Sequence, residues 1–249
     1  MSRVALVMGG ASGIGLATSR ALAKAGHLVA VADLSGSEAC IAGLAGSGHR
    51  AYEVDISDEQ AISWLFQTVE SELGDISVMV NCAGITGYVD GKRPALRDIS
   101  LENWNRVFAV NCVGAFLCVR EMFRRRAARP LDNARIVLTG SMAAQDGGKN
   151  SPSAYVASKG AVHALVKAAM SEAISLKMTV NCVAPGVIDT PMFRGAVPAE
   201  RRAAVFAQLP FGRAGSPDEV AAAIVFLASA EASFISGACI DVNGGVRLS

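Results

Sequence analysis

The sequence predicts an α/β protein of the doubly wound type, with a parallel sheet covered by helices on both faces. Short β-branched runs alternate with longer segments of helical period, the order that βαβ units impose. The first run empties into a glycine-rich turn, Gly9-Gly10-Ala11-Ser12-Gly13-Ile14-Gly15, that opens a helix. An acidic residue, Asp33, then ends the second run 18 residues beyond Gly15.

Seven strands are expected, at 4–8, 28–32, 51–54, 78–80, 136–139, 179–183 and 238–242, each a short apolar, β-rich run bounded by turn residues. Helices are expected near 13–25, 58–73, 100–127, 153–175 and 217–229, with a weaker one at 36–46. No repeat, low-complexity tract or linker interrupts the series. With 249 residues, 51% of them apolar, the chain can bury one large core, so residues 1–249 read as a single domain.

A net charge of +1 gives no long-range attraction to nucleic acid or to an anionic membrane, and neither partner is expected. The longest apolar run, 220–230, is too short to span a bilayer. The basic cluster Arg124, Arg125, Arg126 and Arg129 falls at the end of the 100–127 helix, where cations complement the macrodipole, and reads as a solvated helix end. Cys40, Cys82, Cys112, Cys118, Cys182 and Cys239 show no CxxC spacing, and no leader-like segment precedes the first strand. A reduced, cytoplasmic protein with buried thiols is the expectation. His27, His49 and His163 are scattered singly, so no metal site is expected.

The glycine turn lets the backbone approach a pyrophosphate, whose charge is favoured by free N–H groups at the helix start. Asp33 can accept hydrogen bonds from an adenosine ribose and would repel a 2′-phosphate, which favours NAD over NADP; a turn or helix cap is its competing role. Asp55, with Ile56 after it, could meet an adenine amino group, or serve the cap of the helix that follows. Asn81-Cys82-Ala83-Gly84 closes the fourth strand with small residues, as a ligand crevice or an ordinary turn would need. Asn111 lies mid-helix, an unfavoured place unless its side chain or an altered backbone has a task. Ser141 follows the fifth strand and could donate to a carbonyl or alkoxide oxygen, although a lone Ser there is also a common turn residue. Tyr155 and Lys159 are four residues apart on a helix and therefore share a face. A phenol titrates at about 10, and lowering that by two units takes about 2.7 kcal/mol, within reach of a nearby ammonium.

Assembled in order, these residues resemble the short-chain dehydrogenase/reductase family over essentially the whole chain. The resemblance is carried by Gly9, Gly13 and Gly15, Asp33, Asn81 to Gly84, Asn111, Ser141, Tyr155 with Lys159, Pro185-Gly186, Thr190, and Asp241-Val242-Asn243-Gly244-Gly245. It implies a Rossmann-like fold of seven parallel strands between two helical layers. It further implies an oxidoreductase that moves hydride between NAD(H) and a secondary alcohol or ketone. Tyr155 would be the general acid/base, Ser141 the holder of the substrate oxygen, Lys159 the ribose ligand that lowers the tyrosine pKa, and Asn111 the residue that places a water linking Lys159 to solvent. Gly9, Ser12, Gly13, Ile14, Gly15, Asp33, Leu34, Asp55, Ile56, Asn81, Ala83, Gly84, Tyr155, Lys159, Pro185, Gly186, Ile188 and Thr190 carry over as cofactor contacts.

Met8 and Cys82 depart from the family's usual Thr and Asn; losing the threonine hydroxyl removes a tie on the glycine loop worth about 1 kcal/mol. Residues 190–211 are expected to form a substrate lid, with Met192 and Phe193 as pocket residues, and Arg194 as a solvated cation or a carboxylate ligand. Small residues along the helix from Tyr155, among them Gly160, Ala161 and Ala164, would let a second helix approach closely, and the resemblance implies a homotetramer with 242–249 at a contact. The substrate remains open among 3-oxoacyl thioesters, sugars or polyols, and hydroxysteroids or small alcohols. A catalytically silent NAD-binding scaffold of the same fold is the alternative.

Overall fold

The computed structural model describes residues 3–148 and 150–247. In chain order it comprises β1 (Val4–Met8), α1 (Gly13–Lys24), β2 (Leu28–Asp33), α2 (Ser37–Ile41), β3 (Arg50–Glu53), α3 (Glu59–Leu73), β4 (Ile76–Asn81), a short 3₁₀ turn Leu96–Asp98, α4 (Leu101–Phe108), a π-helical turn Ala109–Val113 and α5 (Gly114–Ala128). There follow β5 (Ala134–Thr139), α6 (Ala143–Asp146), α7 (Ser153–Ser175), β6 (Met178–Pro185), α8 (Pro191–Ala196), α9 (Ala199–Phe206), α10 (Pro217–Ala228) and β7 (Cys239–Val242). Among the described residues these strands form a seven-stranded sheet, parallel throughout, in the order β3-β2-β1-β4-β5-β6-β7.

Alternation along each strand divides the core into two layers. Leu6 and Met8 face α3, α5 and α7, packing with Phe66, Met122 and Val166. Ala5 and Val7 face the opposite way, toward Leu22 of α1 and Ile224 of α10. Strand order reverses between β1 and β4, and it is outside the carboxyl ends of such a pair that a doubly wound sheet leaves a crevice.

Three expectations are corrected. The 100–127 helix is broken by the π-helical turn, where the Gly114 N–H reaches back to the Ala109 carbonyl. The 36–46 helix shortens to α2, entered through Gly36 in a left-handed conformation. The arginine cluster is no solvated helix end. Arg126 is fully buried and pairs with Glu70 of α3, itself buried, while Arg125 and Arg129 reach the same carboxylate at 3.2 and 2.5 Å. A buried carboxylate needs paired cations, and this need outweighs hydration of the arginines.

Candidate functional site

A cleft of about 530 Å³ opens at the carboxyl ends of β1, β2 and β4. Gly9 has φ of +69°, and a Cβ there would stand 2.6 Å from the Ala83 backbone nitrogen, so only glycine lets the two chain segments meet at the cleft floor. Ser12 precedes α1 without capping it by its side chain, which leaves the first amides of that helix directed at the cleft. Asp33 lines the cleft. One carboxylate oxygen accepts from the Ala11 N–H at 2.9 Å and the other from the Leu34 N–H at 2.8 Å, which pins the acidic end of β2 to the glycine turn.

Of the other expected contacts, Ile14, Leu34, Asp55, Ile56, Ala83, Gly84 and Thr190 also line this cleft, and Met192 does so from the 190–211 segment. Asp55 spends one oxygen on the Ser57 backbone and hydroxyl, whereas Asp58 caps α3 by accepting from Gln60 and Ala61. Asn81 is buried beneath the cleft and accepts from the Ala83 N–H, so it shapes the floor from behind. Ile188 faces a separate hollow of about 280 Å³ with Phe211, Arg213 and Asp241. Pro185 and Gly186 end β6 outside the cleft lining, with the Gly186 N–H bonded to the Val242 carbonyl. Phe193 stacks on Phe206 with ring centroids 5.8 Å apart, which ties α8 to α9. Arg194 is bidentate with Asp189, both contacts at 2.8 Å; it is a paired cation, neither free for a carboxylate nor simply solvated.

Beside the cleft, α7 carries Tyr155, Lys159 and His163 one turn apart on a single face. Lys159 is buried, and its Nζ donates to the Thr139 carbonyl at 2.7 Å; burial lowers its pKa to about 8. A Cβ on Gly84 would lie 3.4 Å from that Nζ and 3.3 Å from Asn111 Oδ1, so the cleft floor and these two side chains converge. Burial raises the Tyr155 phenol above its ordinary value, and hydrogen bonding to Ser141 opposes the rise. The ammonium is therefore turned to a backbone oxygen, with its Nζ 5.9 Å from the Tyr155 ring centroid, and Ser141 moderates the phenol. The Asn111 amide is committed as well. It donates to the Ile85 carbonyl and to Ser158 Oγ, each at 2.9 Å, and accepts from the Ile85 N–H at 2.8 Å. Its side chain thus braces the 84–85 segment from the π-helical turn.

A nicotinamide dinucleotide fits these residues: a glycine floor, unpaired amides at a helix start, and a carboxylate at the ribose end. The family profile described as enoyl-(acyl carrier protein) reductase matches residues 9–247. The chain is 39% identical over 246 residues to the cis-4-hydroxycyclohexanecarboxylate dehydrogenase of Sinomonas cyclohexanicum, covering 98% of this chain and 96% of the relative. The chain belongs to the short-chain dehydrogenase/reductase family. Two further relatives of this dehydrogenase/reductase are the acetoacetyl-CoA reductase of Shinella zoogloeoides, 37% identical, and a 3-oxoacyl-[acyl-carrier-protein] reductase of Vibrio harveyi, 33% identical, each covering 98% or more of both chains. As a short-chain dehydrogenase/reductase it is an oxidoreductase of alcohol and ketone groups that works with a nicotinamide cofactor. No helix among the described residues is long and apolar enough to cross a membrane.

Two details of this short-chain dehydrogenase/reductase were not evident in its sequence. The glycine loop, without a hydroxyl at Met8, is held by Gly9 and Gly10 N–H bonds to the Ala32 carbonyl and by Asp33. His163, isolated in the sequence, accepts the Ser141 N–H at Nε2, 3.2 Å away, and so sets the backbone behind the serine. The available signal was its place in the row Tyr155, Lys159, His163 at steps of four.

Proposed function

We propose that the protein is an NAD-dependent dehydrogenase/reductase of secondary alcohols and ketones in which Tyr155 moves the proton. The carrying observation is the convergence of Gly84, Asn111 and Lys159 at the cleft floor, with the Tyr155 ring centroid 5.9 Å from the Lys159 ammonium. When bound, the nicotinamide accepts or donates the hydride. Ser141 donates a hydrogen bond to the substrate oxygen, and Tyr155 takes the hydroxyl proton in oxidation or returns it in reduction. Lys159 would hold the nicotinamide ribose, and its charge would draw the phenol pKa down. Asn111 keeps the 84–85 backbone in register.

Asp33 supports NAD over NADP, since a 2′-phosphate would meet a carboxylate already fixed by two amides. Replacing Asp33 with Ala should narrow the ratio of kcat/KM for NAD to that for NADP by about 10- to 100-fold, a charged hydrogen bond being worth about 1.5–3 kcal/mol. An unchanged ratio would place the discrimination elsewhere.

The 190–211 segment is the substrate lid of one domain, its stacked Phe193 and Phe206 offering an apolar wall and Met192 reaching the cleft. Ketones or alcohols on an alicyclic or acyl body suit it, as the names of the relatives also suggest. Six free thiols accord with a reducing, cytoplasmic setting. The open space beside Gly160 and the exposed Met170, Ile174 and Phe234 accord with a homotetramer. The deciding measurement follows NADH absorbance over a panel of cyclic hydroxy acids, 3-hydroxyacyl thioesters and polyols. NAD binding without turnover on the whole panel would point to the silent scaffold.

A further inference from the structure

Below the proton-transfer groups, the α7 row ends at His163, and two cysteines stand against it. Cys182 of β6 and Cys239 of β7 are direct partners in the parallel register and pack on the sheet face that α7 covers. One ring nitrogen of His163 and the two sulfurs lie within 4.8 Å of one another, and His163 Nε2 is 3.6 Å from Cys239 Sγ. Tetrahedral zinc, with bonds of about 2.3 Å to sulfur and 2.0–2.1 Å to nitrogen, sets a sulfur and a nitrogen about 3.6 Å apart and two sulfurs about 3.8 Å apart. The His163–Cys239 edge already has this length, and completing the triangle takes a movement of about 1 Å at most.

The surroundings carry both signs of charge: the Lys159 ammonium is near enough to favour a Cys182 thiolate, and a carboxylate stands on the strand that carries Cys239. Asp241 follows Cys239 by two residues, so its side chain leaves the same face of β7. One of its oxygens accepts from Gln145 Nε2 at 3.0 Å, while Oδ2 is buried with no hydrogen-bond partner, Arg247 being 3.9 Å away. That oxygen could accept from a water in the fourth coordination position. His163 and Cys239 are partly exposed, which gives an ion a way in.

We propose that His163, Cys182 and Cys239 form a site for a thiophilic divalent cation of the zinc class, and that filling it inhibits the enzyme by taking His163 Nε2 away from the Ser141 amide. Binding forms two metal–thiolate bonds and one metal–imidazole bond, and the two thiol protons pass to solvent. The Ser141 N–H loses its acceptor, so the loop that carries the serine hydroxyl shifts. Inhibition rests on the role given to Ser141 above, whereas binding does not, and separate readouts follow the two.

Binding is followed by titrating Cd²⁺ into the reduced, full-length protein and recording thiolate-to-cadmium charge-transfer absorption. One Cd²⁺ per chain is expected. The absorption should vanish in Cys239→Ala, its half-saturation should weaken at least about tenfold in His163→Gln, and it should persist in Cys40→Ser and Cys82→Ser. Absorption that survives Cys239→Ala, or that is lost with Cys40→Ser or Cys82→Ser, overturns the site. Inhibition is followed with Zn²⁺ in the NADH assay. Wild type should lose turnover as the site fills, and Cys239→Ala, equally active without metal, should not. Equal inhibition of both proteins, or full turnover by cadmium-loaded wild type, overturns the link to Ser141. Unchanged circular dichroism and NAD binding certify that each variant is folded.

Discussion

Tyr155 and Lys159 start from opposite sides of their ordinary values, the phenol raised by burial and the ammonium lowered to about 8 by it. Ketone reduction needs the protonated phenol; burial raises the phenol pKa and the Lys159 charge draws it back down, and with the two opposed the phenol stays protonated near neutrality. Reduction should therefore be flat near pH 7 and fall only as Lys159 loses its charge above about 8. Alcohol oxidation needs the phenolate, so its rate should climb from pH 7 upward; initial rates in both directions across pH 6–10, about the range that brackets these groups, check both limbs. Tyr155→Phe should lower turnover by about 10²–10⁴-fold or more while leaving NAD affinity near wild type, as measured by fluorescence titration. Normal turnover in that variant would remove Tyr155 from the proton path. Both groups were legible in the sequence because their spacing on one helix is local information. Their protonation balance was not, because it depends on burial, which distant parts of the chain supply.

Elements show the same division between local and distant causes. Mid-helix Asn111 was an anomaly in sequence, and the π-helical turn answers it by aiming the amide at Ile85. Arg126 gave no such warning. Its partner Glu70 lies 56 residues away on α3, and nothing near either residue announces the pair. That pairing fastens α3 to α5 at the end of the sheet remote from the cleft. Glu70→Ala would leave fully buried Arg126 without its nearest carboxylate, and a loss of about 3–5 kcal/mol in urea unfolding is expected. A loss under about 1 kcal/mol would mean that Asp75 alone, 3.7 Å from Arg126, suffices. The 190–211 segment was expected as one stretch after β6, and its division into α8 and α9 was hidden. That division depends on Thr190 capping α8 and on the Phe193–Phe206 stack.

For the whole molecule, the parallel order of the sheet was legible from alternation alone, since every connection is a crossover of helical length. The molecule is then completed by its ligand. The cleft draws on β1, β2, β4 and the segment after β6, so a dinucleotide held there as proposed would add to the loop contacts that already join these pieces, such as Asp33 with Ala11. NAD at 100 times its dissociation constant should stabilise the fold by about 2.7 kcal/mol and raise the melting temperature accordingly in calorimetry. NADP at the same concentration should raise it less, because of Asp33, and equal shifts would count against the assigned preference.

The 23 residues of α7 form one unbroken rod, and Tyr155, Lys159 and His163 all stand on it, whereas Met192, Phe193 and Phe206 belong to the segment proposed above as a flap, which the rod does not contain. Descendants of this chain could exchange the flap and inherit a new diet with the same engine. The reverse trade is closed: sliding the rod by a single position would swing all three side chains about 100° around its axis and idle the engine whatever the flap held.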